Sequence, residues 1–224
     1  MRFRAASPPS SGPMGETPEP LTLYYPNKLG RIVLLAFEEL LGHNGLTAAL
    51  NLAGLHHLIN NYPPNNLDLG FRFDDLSTLQ GSLEELYGPR GGRGVAARAG
   101  RICFKYGLRE FGPDLGISDL AFRLLPLNMK LKVGAEVLTC TLNQLAGQIL
   151  RFEEEAGAFL LHVEHCPVCW GRKADSPCCH LTAGVLQESL FWVSGGRNFM
   201  VREVACIATG DPTCLYRIDR QPLD

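Results

Sequence analysis

The sequence predicts an α+β fold in which a helical N-terminal two thirds packs on a small antiparallel sheet. Up to about Leu150, apolar residues recur at steps of three and four, which is the period of amphipathic helices. Beyond Leu150 the pattern changes to short extended runs separated by glycine-containing turns, which is typical of strands. With 224 residues, 46% hydrophobic and 20% charged, the chain can bury a substantial core.

The first twenty residues are predicted to form a disordered tail, because they hold five of the fifteen prolines and almost no apolar side chains. We therefore place a single domain over residues 21–224, with its most specific part at 166–219. The tail lacks the apolar stretch of a secretory signal, so we expect a cytoplasmic protein with reduced cysteines.

Glycine or proline ends each helix predicted in the N-terminal two thirds. The glycine-rich run Gly88 to Gly94 has no preceding strand and no Gly-Lys-Ser/Thr ending, so it is interpreted as a turn rather than a phosphate loop. The predicted helices are Asn27 to Gly42, Asn44 to Pro63, Asp74 or Asp75 to Tyr87, Val95 to Phe111, Ile117 to Leu125 and Lys130 to Gly147.

The C-terminal third is predicted to contain two hairpins with a helix between them. Gly157 supplies the turn of the first hairpin, and Thr209-Gly210-Asp211-Pro212 has the turn chemistry expected of the second. The predicted segments are the strands Arg151–Glu155 and Ala158–Glu164, the helix His180–Val193, and the strands Asn198–Ala208 and Cys214–Asp219.

The charge balance argues against nucleic acid as a partner. Twenty-one Lys and Arg face 23 Asp and Glu, which leaves a formal charge of −2, whereas binding to a phosphate backbone requires a basic surface. No apolar run reaches the roughly 18 to 20 residues that a membrane span needs, so we expect no integral membrane segment.

Six of the eight cysteines lie between Cys166 and the C-terminus, which points to metal or redox chemistry in this part of the chain. Cys206 and Cys214 flank the predicted terminal turn, so the hairpin brings two thiolates together as half of a tetrahedral zinc site. Cys103 and Cys140, by contrast, stand alone in apolar helical segments and are predicted to be core residues.

Glu203 is a further candidate ligand, because a carboxylate on an otherwise apolar strand needs a partner if it is buried. A period of two places Glu203 and Cys206 on opposite faces, so both reach one ion only if a bulge or strong twist intervenes. A solvent-facing Glu203, or one paired with an arginine, remains the alternative.

Cys166-Pro167-Val168-Cys169 has the spacing of zinc knuckles and of redox pairs, and metal is favoured because no βαβ pattern surrounds it. Cys178, Cys179 and His180 supply three more donors, although adjacent residues seldom reach the same ion. The donor count allows one site with spare cysteines or two sites, and an iron–sulfur cluster is less favoured.

The C-terminal motif resembles the signature of the 4-vinyl reductase (V4R) domain family. The pattern is Cys179-x4-Gly184, a helix, then Glu203-x2-Cys206-x3-Gly210-Asp211-x2-Cys214. Weaker similarity around Tyr25-Pro26-Asn27-Lys28 and Gly42-x2-Gly45-Leu46 extends it over most of the ordered chain. Related domains occur in phenol-responsive regulators and in Bet3-like tethering subunits.

The resemblance implies an α+β domain with a small-molecule pocket, a homodimer, and a zinc held by Cys179, Glu203, Cys206 and Cys214. Four protein ligands leave no position for water, so this Zn²⁺ would be structural and would pin the C-terminal hairpin. A slip of one residue would exchange Cys179 for Cys178. Cys166, Cys169 and Cys178 are possible additional metal ligands.

Small-molecule binding is the function that the sequence favours. There is no Rossmann glycine fingerprint and no Gly-x-Ser-x-Gly elbow, so an enzyme is not indicated. We expect a sensor or carrier whose cavity holds an apolar aromatic, hydrocarbon or tetrapyrrole-like ligand. The alternatives are an enzyme or accessory protein of bacteriochlorophyll synthesis and a dimeric scaffold. The candidate pocket residues are Phe122, Trp170, Phe191 and Trp192.

Overall fold

The computed structural model describes residues 21–112, 122, 124–146 and 148–223, and within them it confirms the α+β class. The predicted tail and most of the predicted helix Ile117–Leu125 lie outside these residues. The elements are β1 (Tyr24–Pro26), α1 (Asn27–Leu52), β2 (Leu69–Arg72), α2 (Phe73–Phe111), α3 (Leu127–Ala146), β3 (Leu150–Glu155), β4 (Ala158–Val163), α4 (His180–Ser194), β5 (Phe199–Ala205) and β6 (Cys214–Pro222).

A four-stranded antiparallel sheet in the order β3-β4-β6-β5 forms one layer. Both predicted hairpins are present, and β6 is inserted between β4 and β5, so Phe159 of β4 pairs with Ile218 of β6. The connection from β5 to β6 spans eight residues and contains a 3₁₀ turn at Ile207–Thr209, and is thus longer than the four-residue turn predicted. Cys206 consequently lies just beyond the strand.

Two helices run through the glycines that were predicted to end them. Both α1 and α2 are kinked, at Gly42 (φ 72°) and Gly88 (φ 71°), and each then continues as a helix. The left-handed φ explains why glycine is present at both kinks. The prediction of a turn over Gly88–Gly94 is therefore wrong beyond Gly88, because Pro89 restarts the helix at a position where its missing N–H costs nothing.

A two-stranded antiparallel sheet of β1 and β2 was not predicted. Tyr25 pairs with Phe71, and the backbone N–H of Asn27 donates to the carbonyl of Asp68, so this sheet holds the start of α1. Strands of three and four residues are too short to show a period in the sequence.

Helices α2 and α4 approach each other closely through two glycines. A Cβ added at Gly100 would lie 2.0 Å from the carbonyl oxygen of Leu181, and one at Gly184 would lie 2.0 Å from that of Ala97. Gly184 of the motif therefore lets α4 pack against α2, and this contact positions the N-terminus of α4. No helix among the described residues is long and apolar enough to cross a membrane.

We expect Gly184→Ala to destabilise the protein by about 1 to 3 kcal/mol or more, because the added methyl group overlaps the backbone of α2. Gly94→Ala is a matched control in α2, since an added Cβ there meets no atom within 4 Å. Alanine at that position should be neutral or raise stability by up to about 1 kcal/mol. Denaturant unfolding measures both effects, and equal stability of the two variants would contradict the close helix contact.

Candidate metal centre and apolar cavity

Four segments bring the donor side chains to one end of the sheet. Cys166 and Cys169 lie in the loop after β4, and Cys179 is the residue that precedes α4. Cys206 follows β5, and Cys214 begins β6. All five cysteines are almost fully inaccessible to solvent, with at most 1% of their surface exposed. The site therefore forms only when the whole C-terminal third is folded.

The donor atoms form two overlapping groups. The Sγ atoms of the first group lie within 4.8 Å of one another, and so do the Sγ atoms and carboxylate oxygen of the second. The first group is Cys166, Cys169, Cys179 and Cys214, and the second is Cys179, Glu203, Cys206 and Cys214. The second group has the composition expected from the V4R resemblance.

The distances between sulfurs suit tetrahedral coordination. In a site with Zn–S bonds of about 2.3 Å, neighbouring sulfurs are about 3.8 Å apart. The Sγ atom of Cys179 lies 3.8 Å from that of Cys206 and 3.8 Å from that of Cys214, and Cys206 lies 3.9 Å from Cys214. These thiols can hold a zinc ion without a large movement of the backbone.

A β-bulge in β5 allows Glu203 and Cys206 to reach the same cluster, although regular strand alternation would place them on opposite faces. The register of β5 against β6 shifts between Glu203 and Ala205, so the carboxylate and Cys206 both reach the cluster. One carboxylate oxygen, Oε2, accepts a hydrogen bond of 2.8 Å from the backbone N–H of Cys179. The other, Oε1, is buried and has no hydrogen-bond partner among the described residues.

The unpartnered oxygen Oε1 of Glu203 is suited to bind a cation. Burial raises the pKa of Glu203 to about 8, because the charged carboxylate loses its hydration. A divalent ion next to Oε1 would compensate the buried charge and supply the missing partner. The residues present therefore fit a zinc ion, which would be held by thiolates and this carboxylate in a closed, structural site.

Backbone hydrogen bonds fix the loop that carries Cys206 and Cys214. The carboxylate of Asp211 accepts from the N–H of Cys206 at 2.9 Å and from Oγ1 of Thr209 at 2.8 Å. The N–H of Ile207 donates to Sγ of Cys214 at 3.4 Å, which stabilises a thiolate at that position. The Gly210-Asp211 pair of the motif thus shapes the turn around the ligands.

The Cys166–Cys169 pair adjoins the same sulfurs. The Sγ atom of Cys166 lies 3.5 Å from that of Cys179, and the Sγ atom of Cys169 lies 3.5 Å from that of Cys214. Cys178 is buried, but its sulfur belongs to neither donor group, whereas Cys179 belongs to both. Cys103 is buried as predicted, and Cys140 is exposed on α3, so the prediction of a core position for Cys140 is wrong.

An apolar cavity of about 240 Å³ lies between the helices and the sheet. None of the described residues that line it is charged, and none is a histidine. At one end of the lining, Oη of Tyr25 donates to Oε1 of Gln148 at 3.0 Å, and Nε2 of Gln148 donates to the carbonyl of His165 at 3.2 Å. Four hydroxyl side chains also line the cavity: Thr139, Thr141, Thr182 and Ser189. Burial raises the pKa of Tyr25, so this phenol stays protonated.

The structure places only one of the four candidate pocket residues on this cavity. Trp192 lines it, whereas Trp170 packs edge-on against Phe73, at 5.8 Å between ring centroids. Phe191 is 40% exposed and lines a separate surface groove, and Phe122 is buried but is not among the lining residues. An aromatic residue in a sequence does not reveal which side of a helix faces a cavity, and most of the wall is aliphatic.

The V4R domain family matches residues 159–220 of the chain. The bacteriochlorophyll synthase 23 kDa chain of Cereibacter sphaeroides is 32% identical over 121 residues, which cover 50% of this chain and 58% of that protein. The present chain thus spans less than two thirds of the length of this relative.

Among solved structures, an H-NOX protein from S. oneidensis in the Fe(II)NO ligation state matches with a TM-score of 0.53 at 12% identity. The matched region covers 87% of this chain and 99% of the H-NOX chain. The unliganded Fe(II) H-NOX protein from K. algicida matches with a TM-score of 0.53 at 12% identity, covering 87% and 97%. At such identities the likeness concerns the fold alone. The part of the chain that matches the V4R domain family, residues 159–220, contains all six donors of the cysteine cluster.

Proposed function

We propose that this chain is a zinc-containing binding protein for an uncharged, apolar small molecule and acts as a sensor or carrier. The observation that carries the proposal is the cavity of about 240 Å³, which no charged side chain among the described residues lines. Burying apolar ligand surface there contributes roughly 25 cal/mol per Å². A charged ligand would lose its hydration without gaining a counterion.

The size and polarity of the cavity favour a small, uncharged and mostly apolar ligand. Its volume lies just below the range of about 300 to 1,000 Å³ that is usual for small-molecule pockets. Tyr25 and Gln148 form the polar end and can orient a hydroxyl or carbonyl group of the ligand. An aromatic compound of one or two rings or a short hydrocarbon fits this description better than a tetrapyrrole.

The cavity wall and the zinc ligands share the same short segments, which supports a sensing role. Val168 lines the cavity between Cys166 and Cys169, and Leu181 lines it two residues after Cys179. The backbone carbonyl that accepts the hydrogen bond from Nε2 of Gln148 belongs to His165, which precedes Cys166 in the chain. A ligand that moves any of these residues also moves a metal ligand. Such a centre needs reduced thiols, and we place the protein in the cytosol for that reason.

The cavity residues do not fit a haem, although H-NOX proteins share the fold. Histidine, the commonest iron ligand in such sites, is absent from the described lining. Cys103 and Tyr25 are the candidate axial ligands there, and burial keeps both protonated by raising their pKa values. We therefore assign no iron–tetrapyrrole cofactor to the chain.

An accessory role in bacteriochlorophyll synthesis is the second candidate. The similarity to the bacteriochlorophyll synthase 23 kDa chain favours it, and in that case the ligand would be a vinyl-bearing tetrapyrrole that the protein delivers or helps to reduce. Retention of a pigment by protein purified from its native host would favour this role. Binding of simple aromatic compounds by a colourless protein would favour the sensor or carrier. Homodimerisation remains a prediction under either role, as does the scaffold alternative.

Ligand binding can be followed through Trp192, which lines the cavity. In a Trp170→Phe background, we expect naphthalene to quench the remaining tryptophan and naphthalenesulfonate to have no effect, because the sulfonate finds no cation. Ala135→Phe, which fills the cavity, should weaken naphthalene binding by about tenfold or more, or about 1.4 kcal/mol. Ala48→Phe makes the same change at an exposed position and is the control. Equal affinity in both variants would refute the cavity assignment.

Cys103 provides a second readout, because burial raises its pKa to about 12. The thiol therefore stays neutral and reacts slowly with iodoacetamide near neutral pH, whereas the exposed Cys140 reacts fast. The raised pKa stabilises the folded state below pH 9, and this contribution is lost as the pH rises from about 9 to about 12. Peptide mapping should show that naphthalene slows labelling of Cys103 further and leaves Cys140 unchanged.

Cys214→Ser should remove bound zinc and abolish cooperative thermal unfolding, since structural zinc sites contribute about 10 to 16 kcal/mol of binding free energy to folding. Cys140→Ser replaces an exposed cysteine outside the cluster and should change neither property. Elemental analysis and calorimetry measure the two effects. Full zinc content in the Cys214→Ser protein would show that the ligand assignment is wrong.

A further inference from the structure

We propose that the cysteine cluster binds two thiophilic divalent ions that share the thiolates of Cys179 and Cys214. This inference deepens the proposed function and rests on its assignment of zinc to the cluster. The two donor groups have two members in common, so together they contain six different donors. Six donors are the number required by two tetrahedra that share an edge.

The arrangement of the sulfurs agrees with a shared edge. The common pair, Cys179 and Cys214, has its Sγ atoms 3.8 Å apart, the edge length of a zinc–thiolate tetrahedron. Within the first group, the Sγ atom of Cys166 lies 3.5 Å from that of Cys179, and the Sγ atom of Cys169 lies 3.5 Å from that of Cys214. Each central thiolate therefore has a neighbouring donor belonging to the first group.

The second group adds Cys206 and Glu203 to the shared pair. The Sγ atom of Cys206 lies 3.8 Å from that of Cys179 and 3.9 Å from that of Cys214. Glu203 completes this group with the oxygen that has no hydrogen-bond partner among the described residues. Each group thus adds two donors of its own to the central pair, one set for each ion.

A single ion would leave two buried donors without a function. If it occupied the four-cysteine group, the carboxylate oxygen Oε1 of Glu203 would remain buried and unpartnered. If it occupied the other group, Cys166 and Cys169, each 1% exposed, would remain as packed thiols. Two ions use every donor and balance four of the six negative charges on five thiolates and one carboxylate.

The close spacing also favours ions bound directly by the protein over an iron–sulfur cluster. Inorganic sulfides in such a cluster separate the cysteine sulfurs that hold it, whereas the four sulfurs of the first group lie within 4.8 Å of one another. Soft thiolates with one carboxylate suit Zn²⁺, and Co²⁺ adopts similar sites and serves as a spectroscopic probe.

The second ion has a structural consequence for the cavity. Val168 lies between Cys166 and Cys169 in the sequence and lines the cavity. An ion on this pair holds Val168 in place, and the shared thiolates connect it to the ion that pins the C-terminal hairpin. Occupancy of the cavity and occupancy of the first group are therefore coupled.

Zinc stoichiometry tests the proposal on the full chain. Native mass spectrometry of protein reconstituted with Zn²⁺ should show two ions per chain, and wild-type protein saturating at one ion overturns the proposal whatever the variants do. Cys166→Ser/Cys169→Ser should retain one ion, and so should Glu203→Gln/Cys206→Ser, because each double variant removes only the donors that belong to one group. A Cys166→Ser/Cys169→Ser protein with the full wild-type content also overturns it.

Co²⁺ distinguishes shared thiolates from two separate sites. The electron paramagnetic resonance signal should grow up to one equivalent and fall toward two, because ions bridged by thiolates couple magnetically. A signal that keeps growing to two equivalents overturns the shared edge. If the wild-type protein binds one ion and Glu203→Gln/Cys206→Ser loses it, the proposed zinc function stands and only the second ion is rejected. If the wild-type protein binds no ion, both the zinc function and the second ion are rejected.

Discussion

The confinement of five thiols and one carboxylate within a few ångströms is the constraint on which the rest of the C-terminal third depends. Thiolates and a carboxylate repel one another when they are buried together, and a bound cation would offset that repulsion. The bulge at Glu203 and the Asp211 turn are both oriented toward this point. The sheet and α4 therefore position the donor atoms so that they lie close to one another.

The helical layer contributes to the same centre from a distance. Because Gly100 and Gly184 allow α2 and α4 to touch along their backbones, the start of α4 and the Cys179 that precedes it are held at one position. The backbone N–H of Cys179 then binds Glu203, and the carbonyl of Cys179 accepts a hydrogen bond from the buried hydroxyl of Tyr216. The packing of two helices thus sets the position of a ligand that both donor groups contain.

The cavity lies next to this centre and is chemically its opposite. Its described lining has no charge and carries the hydrogen-bonded pair Tyr25 and Gln148, whereas the cluster gathers five cysteines and a carboxylate. Residues of the same short segments face both environments, so a metal that holds the loop after β4 would also hold the cavity wall. The proposed sensing role rests on this proximity, because ligand and metal would act on the same segments of backbone.

Periodicity and turn residues were enough to determine the α+β class and both C-terminal hairpins, because strand alternation and turn glycines act over a few residues. The set Cys179, Glu203, Cys206 and Cys214 came from the resemblance to the V4R family, since strand alternation alone places Glu203 and Cys206 on opposite faces. Only the tertiary structure decided that α2 continues past Gly88, that Trp192 faces the cavity, and that the Cys166–Cys169 pair adjoins the same thiolates. These facts depend on contacts between residues far apart in the chain, which no local pattern encodes.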